Sequence, residues 1–307
     1  MAPIELEEGY DKDYVAAVNI ASAPTGQLIP PSNTLIVYAT VAGSVSVAAL
    51  FMAGYIPGIA WGISLMFIAG YMAKKRGYVS TFSVTPKEAI KVLWDALPSL
   101  LLIIIVIGGI LKGVFTATEG SAIAVVYALI LSLCYRSLKI KDLPSIILSS
   151  CKTTCIVIFM IGVSSIMSWV MAYTMIPTAI ANAMLSLSSN KYVILLLMNV
   201  ILLVVGTFMD PTPAVLIFTP IFLPICQSFG MDPVQFGIII VFNLCIGTIT
   251  PPVGVILFTG CKVVGISIEG VIKTLLPFFA AIAVVLLLVT YVPAMSMWIP
   301  SMLGLVK

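Results

Sequence analysis

Three interruptions of long apolar runs carry the residues best suited to bind an ion or a small solute. They span Gly26–Ser32, Gly206–Pro213 and Gly247–Gly254, and each combines glycine and proline with serine or threonine. Proline has no backbone N–H, so nearby carbonyl oxygens lose their helical partners, and glycine lets the backbone come close to a ligand. Carbonyl and hydroxyl oxygens are ligands that bind monovalent cations such as Na⁺. The sequence therefore predicts cation binding at these interruptions.

Asp210 is the ionisable residue that stands out, because it interrupts an apolar run and a charge in mid-membrane is costly. Two compatible roles follow. The carboxylate could lie beside a cation, or it could cap the following helix by accepting hydrogen bonds from Ala214 N–H and its neighbours. Pro211 and Pro213 suit the first turn of such a helix.

The hydroxyl side chains at the interruptions also have an ordinary structural explanation. A serine or threonine in a helix often donates to a carbonyl one turn earlier, and this is the expected state of each one taken alone. Only their clustering at the breaks favours a binding role. The residues concerned are Thr207, Thr212, Thr248 and Thr250 in the second half and Ser22, Thr25, Ser32 and Asn33 in the first.

Residues for an enzymatic centre are scarce. The chain has no histidine, which removes the commonest general base and metal ligand. Cys151 and Cys155 share a helix face, but such a pair without other ligands is weak evidence for a metal. We expect the cysteines to be buried free thiols, and an intramembrane enzyme is disfavoured. The six cysteines are Cys134, Cys151, Cys155, Cys226, Cys245 and Cys261.

The composition is that of a polytopic α-helical membrane protein. Hydrophobic residues make up 61% of the chain and charged residues 9%, and the mean hydropathy is +1.19. Apolar runs of about 20 residues recur, as helical spans require, whereas a transmembrane barrel would show short alternating segments. The net charge is +3, and the basic residues lie in short loops and do not form a patch of the kind that binds nucleic acid. The acidic stretch Met1–Asp13 is not a signal peptide.

Two of the interruptions belong to an internal repeat. Gly9–Pro31 matches Gly230–Pro252 at an ungapped offset of 221 positions. Paired broken helices in two related halves indicate the binding site of a secondary transporter. The alternative is two ordinary proline kinks that coincide. The identical pairs are Pro3/Pro224, Ile4/Ile225, Gly9/Gly230, Asp11/Asp232, Gly26/Gly247, Pro30/Pro251, Pro31/Pro252 and Ser46/Ser267.

The apolar runs predict two broken spans, at Tyr14–Ser44 and Val234–Val264, and a re-entrant helical hairpin over Tyr192–Ile225 with its tip at Met209–Pro213. The remaining predicted elements are of two kinds. Continuous spans are expected at Tyr55–Ala73, Pro98–Phe115, Gly120–Tyr135, Thr153–Tyr173 and Leu275–Val292. Surface segments are expected at Val45–Gly54, Pro86–Leu97, Pro177–Asn190 and Ser267–Lys273.

Charge counting predicts the orientation of the two copies. The basic loops that contain Lys74–Arg76 and Arg136–Lys141 are separated by two spans, so the positive-inside rule places both in the cytoplasm. Counting spans in both directions makes the two broken helices antiparallel, which is an inverted-topology repeat. The repeat also predicts that a first hairpin, matching the one at Tyr192–Ile225, lies upstream of Met1.

Segments 9–58 and 191–278 resemble the large (M) membrane subunit of tripartite ATP-independent periplasmic (TRAP) transporters. The resemblance rests on Gly206–Ala214, Ile217–Pro224 and Asn243–Gly254. It implies an all-α, polytopic, inverted-repeat, elevator-type Na⁺ symporter of the bacterial inner membrane, without a cofactor. It also implies a small (Q) membrane subunit, a periplasmic solute-binding (P) subunit, and an organic-acid substrate such as a C4-dicarboxylate, sialic acid or a sugar acid.

The resemblance also implies site residues and domain boundaries. The repeats and connecting helices divide as 1–54, 55–190, 191–274 and 275–307. A passive channel, or a non-functional fragment of a permease, remains the alternative function. The expected Na⁺ ligands are Gly26, Ile29, Pro30 and Ser32 at the first site and Gly206, Thr207, Met209, Asp210, Thr212, Gly247, Thr250 and Pro251 at the second, and the expected substrate contacts are Asn33, Asp210, Pro252 and Gly254.

Overall fold

The structure is a computed structural model that describes residues 1–43, 45–78, 86–175, 179–180, 182–183 and 190–306. Within these residues it is helical and contains no strand. The chain forms two compact units, one made of Met1–Val79 with Val163–Lys307 and the other of Ser80–Gly162. All the interruptions singled out above lie in the first of these units.

Fourteen α-helices are described, and we number them in chain order. Six of the helices described are long and apolar enough to cross a membrane, namely α5, α6 (from Ile90), α7, α9, α10 and α13. The helices are α1 Ala2–Glu7, α2 Lys12–Ser22, α3 Thr25–Leu28, α4 Asn33–Ala42, α5 Val47–Arg76, α6 Pro86–Leu111, α7 Ala117–Cys134, α8 Leu143–Tyr173, α9 Lys191–Phe208, α10 Pro211–Ser228, α11 Pro233–Ile249, α12 Val255–Val264, α13 Ile268–Tyr291 and α14 Ala294–Met302.

Both broken helices are present, but the non-helical stretch with the double proline begins later than predicted in each, and the first broken helix has a further interruption at residues 23–24. The first has a non-helical stretch at Ile29–Ser32 between α3 and α4, and the second has one at Thr250–Gly254 between α11 and α12. Gly26 and Gly247 are therefore helical. Ile29 and Thr250 each precede a proline and adopt extended backbone, with ψ of 127° and 135°. The ring of a following proline disfavours the α conformation, so proline and not glycine sets the start of each break.

The two broken helices run antiparallel, as the charge count predicts. Ile20 in α2 lies against Gly260 in α12, where an added Cβ would be 2.3 Å from Ile20 Cγ1. At the other end Tyr38 in α4 donates its hydroxyl to the Pro233 carbonyl at the start of α11, with O–O 2.6 Å. The beginning of each broken helix thus meets the end of the other, and the breaks lie side by side between these contacts.

The predicted hairpin is confirmed as α9 and α10, joined by Met209 and Asp210. The second arm continues to Ser228, three residues beyond the predicted end at Ile225. Asn190 caps the first arm by accepting a hydrogen bond from Tyr192 N–H, with N–O 2.9 Å. Each arm has 18 residues and is apolar enough to span a membrane. The re-entrant insertion of the hairpin stays a prediction.

Three predicted surface segments are instead parts of long helices. Val45–Gly54 and the next span form α5, Pro86–Leu97 and the next span form α6, and Ser267–Lys273 largely belongs to α13. The start of α5 is not at a surface, since Ala49 and Leu50 are fully buried. Proline does not divide α6, whose helix continues through Pro98. Tyr127 in α7 donates its hydroxyl to the Pro98 carbonyl at 2.7 Å.

Two further boundaries differ from the sequence prediction. The span expected from Thr153 begins at Leu143, so α8 has 31 residues. The span expected from Gly120 begins at Ala117, because Thr116 and Glu119 form a capping box in which Glu119 accepts from Thr116 N–H at 2.7 Å. The surface helix predicted at Pro177–Asn190 lies mostly outside the described residues.

An ion-pair cluster ties three elements of the first unit together at one end. Arg76, the last residue of α5, donates to Asp13 in α2 with Nη2–Oδ2 2.6 Å and to Asp11 with Nη1–Oδ2 3.0 Å. Thr274 in α13 donates its hydroxyl to the same Asp13 carboxylate at 2.5 Å. The cluster fixes the beginning of the first broken helix against α5 and α13.

Candidate cation and substrate site at the helix breaks

The first arm of the hairpin touches the second broken helix backbone to backbone. A Cβ added to Gly247 in α11 would lie 2.2 Å from the Gly206 carbonyl carbon in α9, and one added to Gly206 would lie 3.1 Å from Gly247 Cα. Neither helix could come this close with a side chain at the crossing point. Gly206 and Gly247, predicted as ligands near the break, are therefore also the residues that permit the two helices to meet.

A hydrogen bond joins the tip of the hairpin to the second break. Gly254 donates its backbone N–H to the Thr207 carbonyl, with N–O 3.1 Å. Gly254 has φ of +50° and is the residue from which α12 begins, and a left-handed backbone of this kind favours glycine. The tip at Thr207–Asp210 and the break at Thr250–Gly254 are thus brought together, as the predicted second site requires.

Asp210 caps the second arm of the hairpin, although not through the predicted partner. Its Oδ1 accepts a hydrogen bond from Thr212 N–H, with N–O 3.1 Å. The N–H of Ala214 instead donates to the main-chain carbonyl of Asp210, at 3.2 Å. The Asp210 residue is exposed, so the second carboxylate oxygen remains accessible to a ligand.

The threonine hydroxyls around the second site are in the state expected of single helical threonines. Thr207 donates to Val204 O, and Thr250 donates to Ile246 O, each at 2.7 Å. A hydroxyl that donates its only proton to the backbone keeps its oxygen lone pairs for another partner. Back-bonding therefore fixes the direction of these oxygens without removing their capacity to bind a cation.

The first break is held by Ser32 and supported by α5. Ser32 is 1% exposed; it accepts a hydrogen bond from Leu35 N–H at 3.3 Å and donates its hydroxyl to the Gln27 carbonyl. Two glycines of α5 make room for the break. An added Cβ at Gly54 would lie 2.3 Å from Leu28 O, and one at Gly58 would lie 2.4 Å from Ile29 Cγ1.

The other predicted residues of the first break differ in accessibility. Pro30 is buried and Ile29 is half-buried, whereas Gly26 is exposed and would have nothing within 4 Å of an added Cβ. Asn33, a predicted substrate contact, is the exposed first residue of α4. The structure thus places these residues at one break, but their ligand roles stay predictions.

The predicted residues of the second site also differ in accessibility. Met209, Thr212 and Pro251 are half-buried at the tip and the break, and Pro252 is exposed. Gly254 is buried, and its N–H is used by the bond to Thr207, which leaves its carbonyl as the group for a substrate contact. As at the first break, the ligand and substrate roles stay predictions.

Sequence reasoning missed the contact that joins the two breaks. Cys245 in α11 donates its thiol to the side-chain oxygen of Gln27 in α3, with Sγ–Oε1 3.1 Å. Gln27 stands inside the first repeat motif, and Cys245 lies two residues before Gly247 in the second, so their positions in the repeat were a usable signal. No periodic pattern indicates that their side chains meet.

Two buried features next to the breaks were also missed. Trp61 in α5 is fully buried, donates its indole N–H to Ala21 O at 3.1 Å and lies 4.7 Å from the Phe242 ring centroid. Asn243 in α11 donates to Asn199 Oδ1 in α9 at 2.9 Å. Asn199 in turn donates to the hydroxyl of Thr290 in α13, at 3.0 Å. A lone tryptophan and isolated asparagines in apolar runs were the only available signals.

The cysteines divide into two classes, which corrects the prediction that all of them are buried. Cys226, Cys245 and Cys261 are buried, and Cys134, Cys151 and Cys155 are exposed. Among the residues that the structure describes, no three His, Cys, Asp or Glu side chains lie together as a metal site would need. Cys134 ends α7, a helix of membrane-spanning composition, whereas Cys151 and Cys155 lie on α8.

The antiparallel broken helices, the hairpin and the oxygen-rich contact between them define a membrane transporter with inverted repeats. The chain belongs to the DctM component family of tripartite ATP-independent periplasmic transporters, whose family model matches residues 1–295. It is a large permease subunit and a multi-pass protein of the bacterial inner membrane, and its family consists of transport proteins and not of enzymes.

Three relatives illustrate the likeness. Uncharacterized protein YgiK of Salmonella typhimurium is 52% identical over 98% of this chain and 69% of its own length. Isethionate TRAP transporter permease protein DctMQ of Oleidesulfovibrio alaskensis is 41% identical over 96% of this chain and 47% of its own length. C4-dicarboxylate TRAP transporter large permease protein DctM of Pseudomonas aeruginosa is 37% identical over 98% of this chain and 70% of its own length.

Proposed function

We propose that this chain carries an organic-acid anion across the membrane together with Na⁺. The observation that carries the proposal is the junction of the hairpin with the second broken helix, where Gly206 meets Gly247 and Gly254 N–H bonds to Thr207 O. A junction of this kind supports the proposal because it brings the ends of two interrupted helices together. Half-helix ends and unwound carbonyls at a repeat interface are the elements with which secondary transporters hold ions and solutes.

The groups at the two breaks fit Na⁺ better than a transition metal. They offer hydroxyl and backbone carbonyl oxygens and one carboxylate, and they offer no imidazole, since the chain has no histidine. Hard cations select oxygen ligands of this kind, whereas Zn²⁺ and Cu²⁺ select nitrogen and sulfur. Ser32 with the carbonyls of the first break would hold one ion. Thr212 and Asp210 with the carbonyls of the second break would hold another.

The substrate class follows from charge and from the relatives. The names of two relatives specify isethionate and C4-dicarboxylates, both of which are organic acids. An anion approaching Asp210 meets a negative charge, and a bound Na⁺ would cancel it. Binding of cation and anion would then favour one another, which is the thermodynamic basis of symport. We assign Asn33, Pro252 and Gly254 to the substrate side of the breaks.

The partners are proposed from the family. TRAP transporters are tripartite systems, so this chain would work with a small membrane subunit and a periplasmic solute-binding protein. The small subunit would be separate from this chain or fused to it, as the name DctMQ indicates for one relative. Selection of the particular acid would then lie mainly with the solute-binding protein.

Uptake by proteoliposomes tests the proposal. The reconstituted transporter receives a binding protein loaded with a radiolabelled organic acid, and an inward Na⁺ gradient is compared with an equal K⁺ gradient at zero membrane potential. We expect uptake with Na⁺ and at most a few per cent of that rate with K⁺. Equal uptake in both salts would refute sodium coupling. Current without the binding protein would instead favour the passive channel.

A further inference from the structure

The two breaks are joined by a continuous chain of four hydrogen-bonded residues. Ser32 donates to the Gln27 carbonyl at the first break. The Gln27 side-chain oxygen accepts the Cys245 thiol at 3.1 Å, and the Cys245 carbonyl accepts the Thr248 hydroxyl at 2.7 Å. This series of hydrogen bonds begins at the first break and ends at Thr248, two residues before the second break.

The hydrogen bonds are arranged in the same way on both sides of the contact between Gln27 and Cys245. The Gln27 main-chain carbonyl accepts the hydroxyl of Ser32 in the first break, and the Cys245 main-chain carbonyl accepts that of Thr248, two residues before the second break. The side chains of Gln27 and Cys245 contact each other. Their positions in the repeat differ, so this likeness comes from packing and not from duplicated sequence. The central contact joins residues 218 positions apart.

Burial makes this contact specific. Cys245 is fully buried, and Ser32 and Thr248 are 1% and 2% exposed. In such surroundings a hydrogen bond competes little with water, and a lost partner leaves a polar group unsatisfied. Gln27 itself is half-buried, and a shift of its side chain moves the acceptor of the Cys245 thiol directly.

We propose that the contact between Gln27 and Cys245 couples the two cation sites, so that an ion bound at one break raises the affinity of the other. The inference rests on the proposed sodium coupling. An ion at the first break would draw on the carbonyls and on Ser32, and would thereby fix Gln27. Fixed Gln27 orients Cys245, and the Cys245 carbonyl positions Thr248 beside the second break. Gln27 and Cys245 are positioning residues here and not ligands.

The consequence for transport is that partly loaded states are sparsely populated. When two sites bind cooperatively, the singly occupied form is rare relative to the empty and the doubly occupied forms. A symporter gains from this, because movement with a single ion would dissipate the gradient without carrying substrate. The linkage is reciprocal, so either ion strengthens the binding of the other.

Equilibrium binding of radioactive sodium to the purified transporter in detergent tests the inference. For the wild type we expect two ions at saturation and a Hill coefficient clearly above about 1. Cys245→Ala and Gln27→Leu should still bind two ions, with the Hill coefficient reduced to about 1. Cys245→Ser keeps a donor and should retain the cooperativity. Cys226→Ala is the matched control, since Cys226 is equally buried but its thiol donates to the Met198 sulfur, at 3.9 Å, and not to a residue of the first break.

The outcomes separate the two proposals. Unchanged cooperativity in both Cys245→Ala and Gln27→Leu would overturn the coupling and leave sodium binding intact. Independent binding of two ions by the wild type would also overturn the coupling and leave sodium binding intact. A wild type that binds no sodium would overturn the proposed function, and the coupling with it. If Cys245→Ala does not fold, Gln27→Leu carries the test, because Gln27 is only half-buried.

Discussion

Gly206 and Gly247 are in backbone contact where the hairpin crosses the second broken helix, and no side chain fits between them. A Cβ at Gly247 would come within 2.2 Å of the Gly206 carbonyl carbon and 2.4 Å of its Cα. The neighbours it would meet are main-chain atoms, which cannot rotate away as a side chain could. This close approach is what places the hairpin tip beside the break, so the predictions begin here.

Gly247→Ala should destabilise the protein, and Gly26→Ala should not. The two glycines are equivalent in the repeat and both are helical, but an added Cβ at Gly26 meets nothing within 4 Å. We expect Gly247→Ala to cost about 1–3 kcal/mol through overpacking. Gly26→Ala should be neutral or stabilise by about 0.5–1 kcal/mol, because alanine is the better helix former. Thermal unfolding in detergent measures both, and equal effects would contradict the backbone contact.

The bulkier change Gly247→Leu should abolish sodium-dependent uptake, because it separates the hairpin from the break. The amount of transporter in the membrane is measured alongside, so that a loss of rate can be told from a loss of protein. Normal uptake by this variant would show that the crossing of α9 and α11 is not needed for transport.

Variants of Asp210 and Asp232 should separate the capping role of each carboxylate from the role of its charge. Both are N-cap residues followed by proline, and their Oδ1 atoms accept from Thr212 N–H at 3.1 Å and from Val234 N–H at 2.7 Å. Replacing either with alanine should cost about 1 kcal/mol of stability. Asp210→Asn keeps the cap and should remain stable, but it should lose sodium-dependent uptake, which Asp232→Asn should retain. Equal uptake by the two asparagine variants would refute a role for the Asp210 charge.

Thr212→Val should raise the sodium concentration needed for half-maximal uptake by about tenfold or more, corresponding to the loss of one hydroxyl ligand worth about 1.4 kcal/mol. Valine has nearly the shape of threonine, so the fold should be retained. Thr259→Val is the control, because Thr259 is exposed on α12 and its hydroxyl donates to Val255 O at 2.8 Å. The same sodium dependence in both variants would remove Thr212 from the proposed site.

Replacing two buried threonines with valine should change the free energy of unfolding in opposite directions. The Thr219 hydroxyl in α10 is buried and has no hydrogen-bond partner among the residues that the structure describes, so Thr219→Val should stabilise the protein by about 1 kcal/mol. The Thr290 hydroxyl accepts from Asn199 at 3.0 Å, and Thr290→Val should cost about 1–3 kcal/mol by leaving that donor unsatisfied. Chemical unfolding in mixed detergent measures both. A loss of stability in Thr219→Val would indicate that its hydroxyl has a partner in the membrane-embedded protein.

Local chemistry made much of the fold predictable. Long apolar runs require a membrane, and two consecutive prolines disfavour a continuous helix more than a single proline does, so the existence of both breaks follows from the sequence alone. The predicted breaks began early because glycine was taken to end the helix, whereas Gly26 and Gly247 continue it. The predicted surface segments failed for a different reason, since a change from apolar to amphipathic composition does not by itself end a helix, and α5, α6 and α13 continue through such changes.

The sequence by itself therefore determined the class of protein, the presence of a break in each copy and the opposed direction of the two copies, because these depend on composition, proline and loop charge along the chain. Only the tertiary structure decided which side chains meet. The contact of Gln27 with Cys245 spans 218 positions, and that of Asn199 with Thr290 spans 91. Such pairs depend on how helices cross in three dimensions, and a linear pattern carries no record of that geometry.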